Sequence, residues 1–122
     1  MHVVTVLDCR DLAAAAAFWA PALGYRVEGA PVGRYLSLVP HTGDGPDLLL
    51  QQVPEPKSGK NRMHVDLRVA DLDAEVARLV RLGARVLTAE PVVEAGWVWH
   101  VLADPEGNEF CVLRPPDAGG PA

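Results

Sequence analysis

One unit of sequence occurs twice in this chain and constrains its fold more than any other feature. In the later copy, Met63-His64-Val65-Asp66-Leu67-Arg68-Val69 alternates strictly, with Val65, Leu67 and Val69 on one face and His64, Asp66 and Arg68 on the other. That period of two marks a strand with one buried side. Asp71 then stands as a helix N-cap, and Asp73 and Glu75 suit the positive end of the helix dipole. Leu72, Val76, Leu79 and Val80 recur at helical spacing, and Gly83 can take the left-handed conformation that closes a helix. In the earlier copy a strand over residues 2–7 leads to Asp11, a helical run from Leu12 to Leu23, and Gly24. Asp11 falls on Asp71, Leu12 on Leu72, Ala16 on Val76 and Trp19 on Leu79, an offset of about 60 residues. Tyr25-Arg26-Val27 matches Ala84-Arg85-Val86, and Val4 stands opposite His64. Two such copies are too few and too long for a solenoid, so they form a duplicated supersecondary unit.

The remaining segments complete each copy. Ala13 to Ala17 are strong helix formers, and Pro21 is expected to end or kink that helix near Ala20. The stripe of Leu12, Ala16, Trp19 and Leu23 reads as core packing. Residues 25–28 and 34–39 read as strands on either side of a Gly/Pro loop, and residues 47–53 as a leucine-rich fourth strand after the turn at 40–46. Residues 54–61, with two prolines, a glycine, Lys57 and Lys60, read as a solvated linker. After the second helix come a strand at 84–88, a loop at 89–96 and a strand at 97–103. The turn Asp104-Pro105-Glu106-Gly107-Asn108 leads to the last strand at 109–113. Each half is therefore β-α-β-β-β. The expected organisation is one α+β domain over residues 1–115, with module one at 2–53, a linker at 54–61, module two at 62–115, and a flexible tail at 116–122.

Composition narrows the partners. The chain has 122 residues, 49% of them hydrophobic, which is enough for a packed core. A net charge of -5 without a basic stripe argues against nucleic acid. The apolar runs are too short to span a bilayer. Met1-His2-Val3-Val4 begins directly as a strand, so the expected location is the cytoplasm. Cys9 and Cys111 make no disulfide framework, and the glycines form no phosphate-binding motif.

The duplicated order, together with Asn61-Arg62-Met63-His64-Val65-Asp66-Leu67 and Asp104-Pro105-Glu106-Gly107-Asn108-Glu109-Phe110-Cys111-Val112, resembles the vicinal oxygen chelate superfamily and its small glyoxalase-like group. The resemblance spans residues 2–115. It implies two βαβββ modules whose mixed sheets curl around a cavity with helices outside, the glyoxalase/bleomycin resistance fold. It also implies that metal-dependent relatives place one ligand at each of four strand positions. Carried onto this chain, those positions read Val4, Gln51 (Gln52 with one residue of slip), His64 and Cys111, with Glu109 two residues before Cys111. Val4 cannot ligate, and glutamine is a feeble substitute for a carboxylate. A catalytic zinc needs three protein ligands, and hard cations want oxygen. The expectation is therefore no canonical metal, with His64, Gln51 and Glu109 as the residues left to hold a divalent ion if one binds.

The resemblance places His64 in the cavity as a hydrogen-bonding or acid–base group, and makes His64 and Glu109 the candidate bases of any reaction. The plain alternative is a solvent-facing strand histidine. Glu109 and Cys111 would supply an acid and a thiol beside it, although a free cysteine is more commonly a small buried hydrophobe. Trp97 and Trp99 share one strand face and offer flat apolar walls if they line the cavity. Two functions follow. The first is a small-molecule binding protein with no cofactor, whose organic ligand sits among His64, Gln51, Trp97, Trp99, Glu109 and Cys111; the acidic charge would suit a cationic ligand. The second is a lyase, isomerase or dioxygenase of the glyoxalase type, in which a divalent metal ion chelates two neighbouring substrate oxygens. The resemblance also allows a homodimer. The first function is preferred, and whether the chain turns over a substrate stays open.

Overall fold

The computed structural model describes residues 3–116; His2 and the tail at 117–122 lie outside the described residues. The chain divides into two compact units between Ser58 and Gly59, inside the segment expected to link the halves.

In the first unit, β1 (Thr5–Cys9) leads into α1 (Leu12–Leu23), followed by β2 (Tyr25–Val32), β3 (Tyr35–Pro40) and β4 (Leu48–Gln52). Asp11 caps α1 by accepting the Ala14 N–H at 3.0 Å. The helix runs through Pro21 instead of ending near Ala20. Pro21 lies in the last turn, so its missing N–H removes a single helical bond. Gly24, at φ 68°, then closes the helix by donating to the carbonyls of Ala20 and Pro21. Phe18 and Trp19 are buried and meet edge to face at 5.1 Å. The sheet order is β1-β4-β3-β2, with β1 parallel to β4 and the other pairs antiparallel. Leu48 and Leu50 of β4 are buried and Leu49 and Gln51 half-buried, so the strand alternates as a one-sided sheet requires. The expected Gly/Pro loop after Glu28 is instead the continuation of β2, with a bulge between Glu28 and Val32 that Gly29 at φ 70° accommodates.

The second unit repeats this plan with one strand more than the expected β-α-β-β-β. It contains β5 (Asp66–Arg68), α2 (Leu72–Leu82), β6 (Arg85–Val86), β7 (Val92–Glu94), β8 (Trp97–Ala103) and β9 (Glu109–Arg114). Asp71 accepts the Ala74 N–H at 3.0 Å, and Gly83 ends the helix. The sheet order is β5-β9-β8-β6, with β5 parallel to β9 and β7 paired to β8. Leu72 and Leu79 of α2 are buried, as are Leu102, Phe110 and Val112 on the strands it packs against. Val80 departs from the expected stripe and is exposed, because it lies at the margin of the face that Leu72, Val76 and Leu79 define.

The expected loop at 89–96 contains β7. A two-residue turn, Ala95-Gly96, joins it to β8, with Glu94 paired to Trp97. Both turn residues have positive φ, 51° at Ala95 and 84° at Gly96, as a turn that matches strand twist demands. Alanine hides that signal, since Asn-Gly or Asp-Gly is the usual sequence there. Among the described residues no helix is long and apolar enough to cross a membrane. Replacing Ala95 by Asn should raise stability by about 0.5–1 kcal/mol, because asparagine tolerates the left-handed conformation better than alanine. Urea denaturation of Ala95→Asn checks this, and a loss of stability would contradict the hairpin.

Candidate functional site

The pairing in the second unit decides which side chains share a face. Directly paired residues point to the same side of a sheet. Asp66 pairs with Cys111, and Arg68 with Leu113. Across β9, Cys111 pairs with Val101, Leu113 with Trp99 and Glu109 with Ala103. Asp66, Arg68, Glu109, Cys111, Trp97 and Trp99 therefore lie on one face. Leu102, Phe110 and Val112 lie on the other, the face packed against α2. His100 is on that second side, where its Nδ1 lies 2.7 Å from Thr88 Oγ1.

His64 sits two residues before the start of β5, in step with its alternation on the face of Asp66. Its Nε2 is 3.2 Å from Asp66 Oδ1, with the two side chains 45% and 43% exposed. At that exposure the pair contributes little stability, about 0–1 kcal/mol. The Cys111 Sγ lies within 4.8 Å of both ligating groups, and Cys111 itself is 9% exposed. Burial pushes the Cys111 thiol above its ordinary range; the Asp66 carboxylate adds to the rise and Lys60 opposes it. A thiol held protonated in this way is a poor nucleophile. His64, Asp66 and Cys111 are the one group of His, Cys, Asp or Glu side chains among the described residues that could surround a metal ion.

Glu109 goes elsewhere. Its Oε1 accepts the backbone N–H of Asn61 at 3.1 Å, and its carbonyl oxygen accepts from the Asn61 side-chain amide at 3.4 Å. The carboxylate beside His64 and Cys111 is that of Asp66, which the sequence marks only as a neighbour on the same strand face. What brings Asp66 to Cys111 is the strand register, a feature no local motif encodes. Arg68 places its Cζ 4.9 Å from the centroid of the Trp97 ring, a cation–π contact, and both tryptophans are half-buried.

The first unit holds the matching positions without the chemistry. Val6 pairs with Leu49 where Asp66 pairs with Cys111. Val4 precedes β1 as His64 precedes β5. The counterparts of His64, Asp66 and Cys111 are thus Val4, Val6 and Leu49, three aliphatic side chains. Gln51 pairs with Asp8, one same-face step beyond Leu49 and within the first unit, where it matches Leu113. A hard cation such as magnesium or calcium does not fit this set, because the first unit supplies at most one amide and the fourth position is a thiol.

Two mixed sheets, each built from a duplicated strand–helix–strand order and each carrying one helix, define an α+β protein of the glyoxalase/bleomycin resistance fold. The glyoxalase-like domain profile matches residues 4–113, and the chain belongs to that family, within the vicinal oxygen chelate superfamily. The structure is similar to that of a glyoxalase/bleomycin resistance protein/dioxygenase family enzyme from Burkholderia phytofirmans, with a TM-score of 0.72 and 21% identity over 91% of this chain and 95% of that one. It is similar to a glyoxalase family protein from Bacillus cereus, with a TM-score of 0.73 and 18% identity over 96% and 94% of the two chains. It is also similar to TnmS3, an antibiotic binding protein from a Streptomyces species, with a TM-score of 0.67 and 24% identity over 94% and 97%. No curated protein matches the sequence.

The raised thiol makes a kinetic prediction. In metal-free protein, iodoacetamide should modify Cys111 at least about tenfold more slowly than a free thiol at pH 8, with the rate climbing through a pH above the ordinary thiol range. Peptide mass spectrometry of the quenched reaction reads this, and rapid labelling at neutral pH would contradict it.

Proposed function

We propose that this chain is a small-molecule binding protein that works without the canonical catalytic metal of its metal-dependent relatives. The observation that carries the reading is the make-up of the face opposite α2. Trp97 and Trp99 stand there beside a row of polar groups, His64, Asp66 and Arg68, and a buried thiol. Large aromatic surfaces with a few placed polar groups are the composition of an organic-ligand site. In the first unit the positions equivalent to His64, Asp66 and Cys111 are aliphatic. Among the first unit's corresponding positions, Val4, Val6 and Leu49 offer a Lewis acid no ligand and Gln51 offers only a neutral amide. TnmS3, an antibiotic binding protein with this fold, supports the view that such a scaffold serves binding.

Arg68 refines the class of ligand. Although the chain is acidic overall, the tryptophan pair already carries a guanidinium, with Arg68 Cζ over the Trp97 ring. Stacked arginine keeps its N–H donors in the plane of its fork, where they meet oxygen acceptors. The ligand is therefore a flat aromatic molecule bearing a carboxylate or phenolic oxygen, stacked on an indole and met by Arg68.

Fluorescence titration of chelator-treated protein with planar aromatic carboxylates and phenols tests this. Trp19 is buried and supplies a constant background, so saturable quenching reports Trp97 and Trp99. Loss of one stacking surface is worth about 0.5–1.5 kcal/mol, so Trp99→Leu should weaken binding by up to about tenfold. Arg68→Gln should weaken binding of the carboxylates more than of their neutral amides. No quenching by any compound, or identical affinities in wild type, Trp97→Leu and Trp99→Leu, would overturn the reading.

A further inference from the structure

The duplicated frame isolates one group of side chains that the fold itself does not require. Where the second unit has His64, Asp66 and Cys111, the first has Val4, Val6 and Leu49, and the parallel strand pair forms in both. Polar groups at these positions are thus not a condition of strand pairing. One of the three, Cys111, is buried, while His64 and Asp66 reach solvent, which gives an ion a route in.

We infer that the second unit alone forms a binding site for a thiophilic divalent cation of the zinc or cadmium class, held by His64, Asp66 and Cys111. The three ligating atoms already lie within 4.8 Å of one another, and the imidazole and carboxylate are 3.2 Å apart. Small rotations bring three such atoms around one ion at the usual metal–ligand distances of about 2.0–2.3 Å. The donor set is one nitrogen, one oxygen and one sulfur, which suits a borderline-soft ion and not magnesium or calcium. Binding exchanges the S–H bond of Cys111 for a sulfur–metal bond and releases one proton to solvent. The carboxylate and thiolate then balance the two charges of the ion. Lys60 is the cation near Cys111; it is exposed, so solvent screens its repulsion. Three protein ligands leave a fourth position open. The site differs from the four-position arrangement of the metal-dependent relatives in taking Asp66 as a ligand and nothing from the first unit. It is independent of the organic-ligand reading, which is tested in the presence of chelator, so either can fail alone.

Cobalt(II) titration of the full chain, with zinc(II) and cadmium(II) as competitors, tests the site. The expected result is one equivalent of cobalt with visible bands of a four-coordinate ion and a near-ultraviolet sulfur-to-cobalt charge-transfer band. Zinc and cadmium should displace it. Cys111→Ser should abolish the charge-transfer band, and Cys9→Ser should keep it. His64→Ala and Asp66→Asn should each weaken binding about tenfold or more, while Gln51→Ala should leave it unchanged. Circular dichroism of each variant separates loss of a ligand from loss of fold, and the conservative Asp66→Asn keeps the shape of the side chain. Absence of one-equivalent binding, a charge-transfer band that survives Cys111→Ser, wild-type affinity in folded Asp66→Asn, or weakened binding in Gln51→Ala would each overturn the inference.

Discussion

The parallel pairing of the first and last strand of each unit governs the rest of this structure. A parallel pair cannot be closed by a hairpin, so the chain must travel between its strands through other elements. Here the helix and the intervening strands make that journey in both halves. In the second unit the pair is fixed by the Cys111 N–H on the Val65 carbonyl at 3.0 Å and the Val69 N–H on the Leu113 carbonyl at 2.8 Å. In the first, the Val53 N–H reaches the Cys9 carbonyl at 2.8 Å. This register, and not proximity in sequence, sets Asp66 against Cys111, 45 positions apart in the chain. A slip of one residue between β5 and β9 would leave the two side chains on opposite faces.

The turn before β9 anchors that register at its far end. Asp104 is buried and accepts the N–H groups of Glu106 at 2.9 Å and Asn108 at 2.8 Å, while the Asn108 amide donates to its second oxygen at 3.1 Å. Asp104 N–H in turn donates to the Asn108 carbonyl at 2.8 Å. A buried carboxylate satisfied on both oxygens holds the chain in one geometry, because any alternative leaves a polar group unpaired. β9 therefore starts at a fixed place, with Glu109 against Asn61 and Cys111 against Asp66. Duplication provided two equal frames, and the polar chemistry at these positions was placed in one of them.

Much of the fold is legible in the sequence, because it is written in local signals. Asp11 and Asp71 cap the helices they precede, Gly24 and Gly83 end them, and β8 spans residues 97–103 as the alternation of Trp97 to Ala103 indicates. What escapes reading is what local signals do not carry. The β7 strand is masked because its turn uses alanine where asparagine or aspartate is usual. Segment 54–61 reads as a solvated linker, yet its last residue, Asn61, is bonded to Glu109 across 48 positions. Periodicity correctly puts Glu109 and Cys111 on one face, but two residues along a strand are about 6.6–6.8 Å apart, so sharing a face is not sharing a site. Asp66 enters the cluster through a long-range pairing that only the folded chain shows.

At the metal site inferred here, the second unit carries the binding chemistry and the first contributes none of its ligands. Anomalous diffraction from a crystal grown with cadmium(II) tests it most directly. One strong peak per chain is expected, bounded by the His64 imidazole, an Asp66 oxygen and the Cys111 sulfur. An ion at His64 completed by Gln51 or any other residue of the first unit, or a fully occupied ion elsewhere with this cluster empty, would contradict it.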